Sequence, residues 1–391
     1  MNTPATTGAT TGAAAALRLA EVVVNHSSAS HIPGVEPHRH ALDFHRRMPG
    51  YQLTPLLDCP DLAAALSVGR VWVKDESSRL GLPSFKMLGA SYAAYRELCR
   101  LLGSEPEWSD LTDLKAALAP LGPLTLVAAT DGNHGRAVAR FASLLGYASR
   151  IYVPEGTVAA RIEAVESEGA SVTVLTGDYD HAVRRSAEDA GKGVLVISDT
   201  SWRGYEQIPA WVIDGYSTMF WEMKEQLAAS GSAGLDAVAL PVGVGALASA
   251  TVRHFRGQTC TAPVRLIGVE PLGSDCMLRS VRAGHPVIIP GPHTSIMAGL
   301  NCGTPSRLAW PLIVQGLDVL VAIDDELARD GMRMLDRAGV VAGETGAAAL
   351  GGLLALRDGH QAPYVSRAAG LGPDARVLII CSEGATDEGA Y

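Results

Sequence analysis

From about residue 124 onward, short β-branched runs alternate with glycine-containing or polar turns and helical stretches. This alternation specifies an α/β fold built on parallel strands. The expected strands are Thr125–Thr130, Arg150–Pro154, Ser171–Thr176, Val194–Asp199, Ala237–Val242, Leu266–Glu270, Val319–Asp324 and Val377–Cys381. Most run into a residue able to do chemistry, and in open parallel sheets ligands gather beyond the carboxyl ends of the strands. A chain of 391 residues exceeds what one hydrophobic core organises, so two domains with a cleft between them are expected.

A formal charge of -9, with no long basic run, argues against nucleic acid or an anionic membrane as partner and leaves a small molecule as the expected one. Six scattered cysteines without a C-x-x-C pair fit a reducing cytoplasm. The N-terminus has no basic n-region and no apolar run long enough to span a bilayer, and Met1 to about Ala13 read as a disordered tail. His26, His31, His38, His40 and His45 crowd one segment, but no carboxylate or cysteine pattern accompanies them. They read as solvated loop histidines, and no metal site is expected.

Val71-Trp72-Val73-Lys74-Asp75-Glu76 alternates at period two and leads through Gly81 and Pro83 to Ser84-Phe85-Lys86. Beyond it Leu88, Tyr92, Tyr95, Cys99 and Leu102 recur at spacings of three or four, the buried stripe of a helix. Lys86 stands off that stripe at the helix start, where the dipole and burial would lower its pKa and free the amine to form a Schiff base with an aldehyde cofactor. Lysines near helix starts are common, so this position alone decides nothing. A second signal is Asp131-Gly132-Asn133-His134-Gly135, a turn that brings backbone N–H groups toward an anionic substrate. Together the two point to pyridoxal phosphate chemistry.

The strand Ala237–Val242 ends in Gly243-Val244-Gly245-Ala246, a glycine turn opening a helix and suited to a phosphate. The same letters fit a dinucleotide fingerprint with Glu270 as the ribose acid. A nicotinamide fold would open near its first βα unit, however, and would leave Lys86 and Asn133 unexplained.

With these residues in view, Lys74-Asp75-Glu76-Ser77, Phe85-Lys86-Met87-Leu88-Gly89, Thr130-Asp131-Gly132-Asn133-His134-Gly135 and Gly243-Val244-Gly245-Ala246 resemble the fold-type II, tryptophan synthase beta-like, pyridoxal phosphate enzymes. Further matches are Asp199-Thr200-Ser201-Trp202, Ile296-Met297-Ala298-Gly299-Leu300, Gly343-Glu344-Thr345-Gly346 and Ser382-Glu383-Gly384-Ala385-Thr386-Asp387, and the segments at Thr130–Gly135, Asp199–Trp202 and Ile296–Leu300 are narrower than the superfamily. Within that superfamily they are most similar to the diaminopropionate ammonia-lyases. The resemblance spans roughly residues 43 to 387.

It implies two open twisted α/β domains with the active site in the interdomain cleft. Residues 26–87 and 223–391 would form the large cofactor-binding domain, residues 88–222 the small one, and residues 1–25 a disordered tail. It further implies a homodimer. Lys86 would hold pyridoxal 5'-phosphate and act as base for one substrate enantiomer, and Asp131 would be the base for the other. Asp199 would be a second catalytic acid. Phe85 and Asn133 would contact the cofactor, Asn133 at the 3'-oxygen of the ring. Gly243, Val244, Gly245 and Ala246 would hold the phosphate, and Ser382 would meet the pyridine nitrogen. Glu344 would place a carboxylate near the cofactor or cap its helix. Ser84, Thr130, Gly132 and His134 would surround the substrate, His134 by packing beside the loop, with Trp202 and Tyr205 as walls of the cleft.

Asp131 separates the alternatives. Serine and threonine dehydratases of this superfamily carry a small residue directly before the Gly-Asn of this loop, whereas a carboxylate there favours a second ammonium group. The implied reaction is α,β-elimination on 2,3-diaminopropionate to pyruvate and two ammonia. The alternative is a serine/threonine dehydratase or a β-replacement enzyme on the same fold.

Overall fold

The computed structural model describes residues 20–130, 132–232, 234–257, 263–358 and 362–386. Two sheets organise them. The larger has seven strands: β1 (Ala20–Val24), β2 (Leu56–Asp58), β3 (Arg70–Asp75), then β8 (Ala237–Pro241), β9 (Arg265–Pro271), β10 (Val319–Ile323) and β11 (Arg376–Cys381), in the order β1-β10-β9-β8-β11-β3-β2. The smaller has four: β4 (Thr125–Ala129), β5 (Ala148–Pro154), β6 (Ser171–Leu175) and β7 (Val194–Val196), in the order β6-β5-β4-β7.

All pairings of the small sheet are parallel, and so are the pairings that link β10, β9, β8, β11 and β3 to one another. The expected α/β class follows directly. β8 and β10 are buried along their whole length, because strands covered by helices on both faces must be apolar throughout.

Two strands depart from expectation. Ala20–Val24 pairs antiparallel with β10, Ala20 facing Ile323, although the disordered tail was expected to run to residue 25. Val22 and Val23 pack against the core, which favours pairing over disorder. Residues 1–19 lie outside the described residues. At the other edge, β2 adds antiparallel to β3.

The helix Lys86–Leu102 is buried along most of its first three turns and ends at Gly103, whose φ of 80° favours glycine. It crosses the helix Gln207–Ala229 at a close approach. A Cβ on Gly215 would stand 2.3 Å from Leu88 O, and one on Gly89 would stand 2.5 Å from Tyr216 Cε1. Two glycines let the backbones meet there, which fixes where the helix start at Lys86 lies.

A buried ionic cluster ties down the approach to that lysine. Arg79 donates to both carboxylate oxygens of Glu222 and to both of Glu76, each at 2.7 Å, and Lys74 Nζ donates to Glu222 Oε2 at 3.2 Å. All four side chains are fully buried, so each charge needs the others.

The histidine segment is not uniformly solvated. His45 is fully buried: Nε2 donates to Leu88 O at 3.0 Å, and Nδ1 accepts from Thr218 Oγ1 at 2.8 Å. Burial, reinforced by the charge of Arg79, pushes its pKa down to about 3. Among the described residues no cluster of histidine, cysteine and acid side chains is placed to hold a metal ion. Among the described residues, Cys59, Cys99, Cys276, Cys302 and Cys381 are buried and unbridged, and no helix is long and apolar enough to cross a membrane.

Candidate active site

The carboxyl ends of strands from both sheets converge on one cleft. It is lined by Phe85 and Lys86 after β3, by Thr130, Asn133 and His134 after β4, and by Tyr179 after β6. Asp199 follows β7, Gly243–Leu247 follow β8, and Ser382 and Glu383 follow β11. Ala298–Cys302 and Thr345 close it.

Lys86 Nζ donates to Asp199 Oδ2 at 2.6 Å. Tyr179 Oη donates to the other oxygen, Oδ1, at 3.1 Å. His134 Nδ1 stands 4.0 Å from Oδ2, while His134 Nε2 donates to Ile197 O at 2.7 Å. Burial alone would favour a neutral carboxyl on Asp199. The charge of Lys86, then that of His134, and the hydrogen bonds from Lys86 and Tyr179 outweigh burial and hold it well below the usual carboxylate range.

Gly245 begins the helix Ala246–Arg256 with φ of 103°, and a Cβ there would lie 2.7 Å from Ala309 Cβ and from Ile313 Cδ1. The position therefore admits only glycine. N–H groups of the first helical turn have no partner within the helix, and the positive end of the dipole faces the cleft, which makes this turn a cradle for an anion.

The hydroxyl of Ser382 is buried with no hydrogen-bond partner among the described residues. A buried hydroxyl without a partner is costly unless a ligand supplies one. Beside it, Glu383 Oε2 accepts from Asn133 Nδ2 and Oε1 accepts from Thr345 N at 3.1 Å.

Several expectations change in detail. Asn133 is bonded to Glu383, an acid not singled out as a site residue from sequence. Glu344 starts the helix Glu344–Asp358 and lines an adjoining outer cavity instead of the inner cleft. Ser84 does not line the cleft; its backbone bridges to Glu383. Gly132 has a φ of 149° and donates its N–H to Thr130 Oγ1 at 2.9 Å. Trp202 and Tyr205 are not cleft walls. They stack on each other with centroids 4.2 Å apart beside the small sheet, because Tyr205 Oη is anchored on Val196 O at 2.6 Å. Glu270 is fully buried and does not line the cleft, its two oxygens accepting from Met277 N and Leu278 N. Asp131 and Asp387 lie outside the described residues.

Tyr179 and Glu383 are the residues sequence reasoning missed. Tyr179 sits four residues past the end of β6, a position that the strand-end rule reaches only loosely. Glu383 stands in the quoted Ser-Glu-Gly segment, where its neighbour Ser382 drew the assignment.

An amine paired with an acid, an anion cradle and an orphaned hydroxyl define a site for an anionic aldehyde cofactor between two α/β sheets. Residues 47–382 match the family described as Pyridoxal-phosphate dependent enzyme. Diaminopropionate ammonia-lyase of Escherichia coli (strain K12) is 37% identical over 357 residues, covering 90% of this chain and 89% of that protein. The crystal structure of diaminopropionate ammonia lyase from Escherichia coli in complex with an aminoacrylate-PLP azomethine reaction intermediate superposes with a TM-score of 0.86 at 33% identity, covering 96% of each chain. By contrast, an L-threonine dehydratase of Haemophilus influenzae is 27% identical over 311 residues, 77% of this chain and 52% of that protein. The chain belongs to the pyridoxal-phosphate dependent enzyme family and groups with its diaminopropionate ammonia-lyase members. Its cofactor is pyridoxal 5'-phosphate, and the cleft fits it through the Lys86 amine, the Gly243–Ala246 turn and the unpartnered Ser382 hydroxyl.

Proposed function

We propose that this chain is an ammonia-lyase that removes both amino groups from 2,3-diaminopropionate, as the D isomer, the L isomer or both. The observation that carries the reading is the partly buried Lys86–Asp199 pair, in a chain more similar to a diaminopropionate ammonia-lyase than to a threonine dehydratase. Lys86 would hold the cofactor, Gly243–Ala246 its phosphate, and Ser382 its ring nitrogen. Asn133, oriented by Glu383, would contact the ring oxygen.

When bound, pyridoxal phosphate supplies a carbonyl that condenses with the α-amine and a conjugated ring that delocalises the electron pair left at Cα. Lys86 Nζ, freed by substrate, takes the Cα proton of one enantiomer. Asp131, directly after Thr130 in the chain, takes that of the other. Asp199 is ionised at neutral pH, so it acts as an anion and not as the proton donor. It accepts from the β-ammonium and keeps that group protonated, and cleavage of the Cβ–N bond then releases neutral ammonia. The released three-carbon enamine reacts with one water to give pyruvate and the second ammonia. Tyr179 holds the Asp199 carboxylate through its second oxygen.

The reading extends to a homodimer in the cytoplasm, supported by the family resemblance and by buried, unbridged cysteines. The test is to supply D- and L-2,3-diaminopropionate, serine and threonine separately and to measure the keto acid and ammonia formed. Two ammonia per pyruvate from diaminopropionate is expected. Serine or threonine turnover exceeding that of diaminopropionate would replace this reading with the dehydratase.

A further inference from the structure

Residues 303–309 run from Cys302, in the wall of the cleft, to the helix Trp310–Gly316, and they tie together parts of the site that belong to different sheets. Ser306 N donates to Val244 O at 3.0 Å, in the turn after β8. Ala309, at the far end, is the side chain that a Cβ on Gly245 would meet at 2.7 Å. This strap is therefore seated on the anion cradle.

From there it reaches the segment after the small sheet. Ser306 Oγ accepts from Ser201 N at 3.2 Å and is hydrogen-bonded to Ser201 Oγ at 2.8 Å. Ser201 Oγ accepts in turn from Leu308 N at 2.7 Å, and Arg307 N donates to Ser201 O at 3.3 Å. Ser201 lies two residues past Asp199. A second tie runs from Thr304 Oγ1, which donates to Asp180 Oδ2 at 2.5 Å. Asp180 follows Tyr179, whose hydroxyl donates to Asp199 Oδ1. The strap thus grips Asp199 twice, through its own main chain and through its tyrosine partner. Ser201 and Ser306 are 7% and 2% exposed, so water does not stand in for either hydroxyl. Sliding one sheet against the other would leave the buried donors Ser201 N and Leu308 N without their acceptors, which makes a single register much the most favourable.

We propose that Ser306, through its hydroxyl pair with Ser201, is a positioning residue that holds the Asp199 carboxylate in register with Lys86 and the anion cradle across the two sheets. The proposal rests on the reading of the Lys86–Asp199 pair as the centre of the reaction. Three side chains face the carboxylate: Lys86 from the helix Lys86–Leu102, His134 from the helix Asn133–Leu145 and Tyr179 from the helix Tyr179–Glu188. Each keeps its place only if the segment carrying Asp199 stays where the strap puts it. Ser306 does not line the cleft, so it acts through Asp199 and not on the substrate.

The experiment places Ser306→Ala, Ser201→Ala and their combination in the holoenzyme, and repeats Ser306→Ala on an Asp199→Asn background. Each single variant should lower kcat for 2,3-diaminopropionate at least about tenfold with KM little changed, because a small misplacement of an acting group is costly in rate. The combined variant should lose no more than either alone, and Ser306→Ala should cost nothing further where Asp199 is already Asn. The fall in melting temperature below about pH 4 should also be shallower in Ser306→Ala. Asp199, whose carboxyl titrates well below the usual range, then confers less of the stability that acid removes. An equal loss of kcat on both backgrounds, or a melting temperature lowered evenly at every pH, overturns the assignment, since either marks a hydroxyl that only supports the fold. If Ser306→Ala does not fold, Thr304→Val, which cuts the tie to Asp180, carries the same comparisons. Failure of the parent protein to consume diaminopropionate would instead sink the proposed reaction. The acid melting profile then judges the strap by itself, and a slope equal to the parent's overturns it.

Discussion

The Lys86 amine and the Asp199 carboxylate lie 2.6 Å apart, joined across the two sheets from the end of one strand path to the end of another. Neither residue is fully exposed, and the lysine keeps 18% of its side-chain surface open to the cleft while the aspartate keeps 5%. The amine is therefore reachable by a carbonyl and the acid is not freely hydrated. Replacing Asp199 with Asn removes the charge but keeps the shape. We expect kcat to drop by on the order of 10²-fold or more, with the cofactor still bound, as judged by its absorption band. Retention of full kcat would show that the carboxylate has no part in proton handling.

The same pair sets an acid limit on stability. The folded carboxyl of Asp199 titrates well below the usual carboxylate range, so the stability it confers is complete above its unfolded pKa and is lost as pH falls toward the folded value. Asp199→Asn should therefore lose the part of the acid-induced drop in melting temperature that appears below about pH 4. A variant with the same acid profile as the parent would contradict the pairing.

His45 gives the opposite case, a buried base kept neutral. Its folded pKa of about 3 lies under the unfolded value of 6.5, so the unfolded chain binds the extra proton and stability declines as pH drops from 6.5 toward 3. The loss is on the order of a few kcal/mol. A melting series from pH 7 to pH 4 should slope downward, and His45→Gln should flatten it while lowering the value at pH 7.

Gly245→Ala tests the anion cradle. A side chain at φ of 103°, pressed within 2.7 Å of Ala309 and Ile313, carries strain of about 1–3 kcal/mol. The turn must shift to relieve it. We expect weaker retention of the cofactor on dialysis than in the parent protein, and a Kd unchanged from the parent would mean that the phosphate is held elsewhere.

The parallel strands were legible because buried strands are uninterrupted apolar runs, as in Ala237-Val238-Ala239-Leu240-Pro241. β1 was not, since five residues at Ala20–Val24 acquire their structure only by pairing with Val319–Ile323, about three hundred positions away. In the site, Lys86, Thr130, Asn133 and Asp199 were readable because each follows a strand. Tyr179 and Glu383 were not, because their positions depend on how two sheets face each other. Trp202 and Tyr205 look from sequence like cleft aromatics, yet each found the other as its partner. Local pattern announces what a segment is, and only tertiary packing decides which way its side chains turn.

The most direct measurement is to reduce the holoenzyme with borohydride, digest it and locate the phosphopyridoxyl group by mass. Lys86 should carry one such group, and prior addition of diaminopropionate should displace it from that residue. Modification of Lys74 or another lysine in place of Lys86, or of none, would contradict the account at its centre.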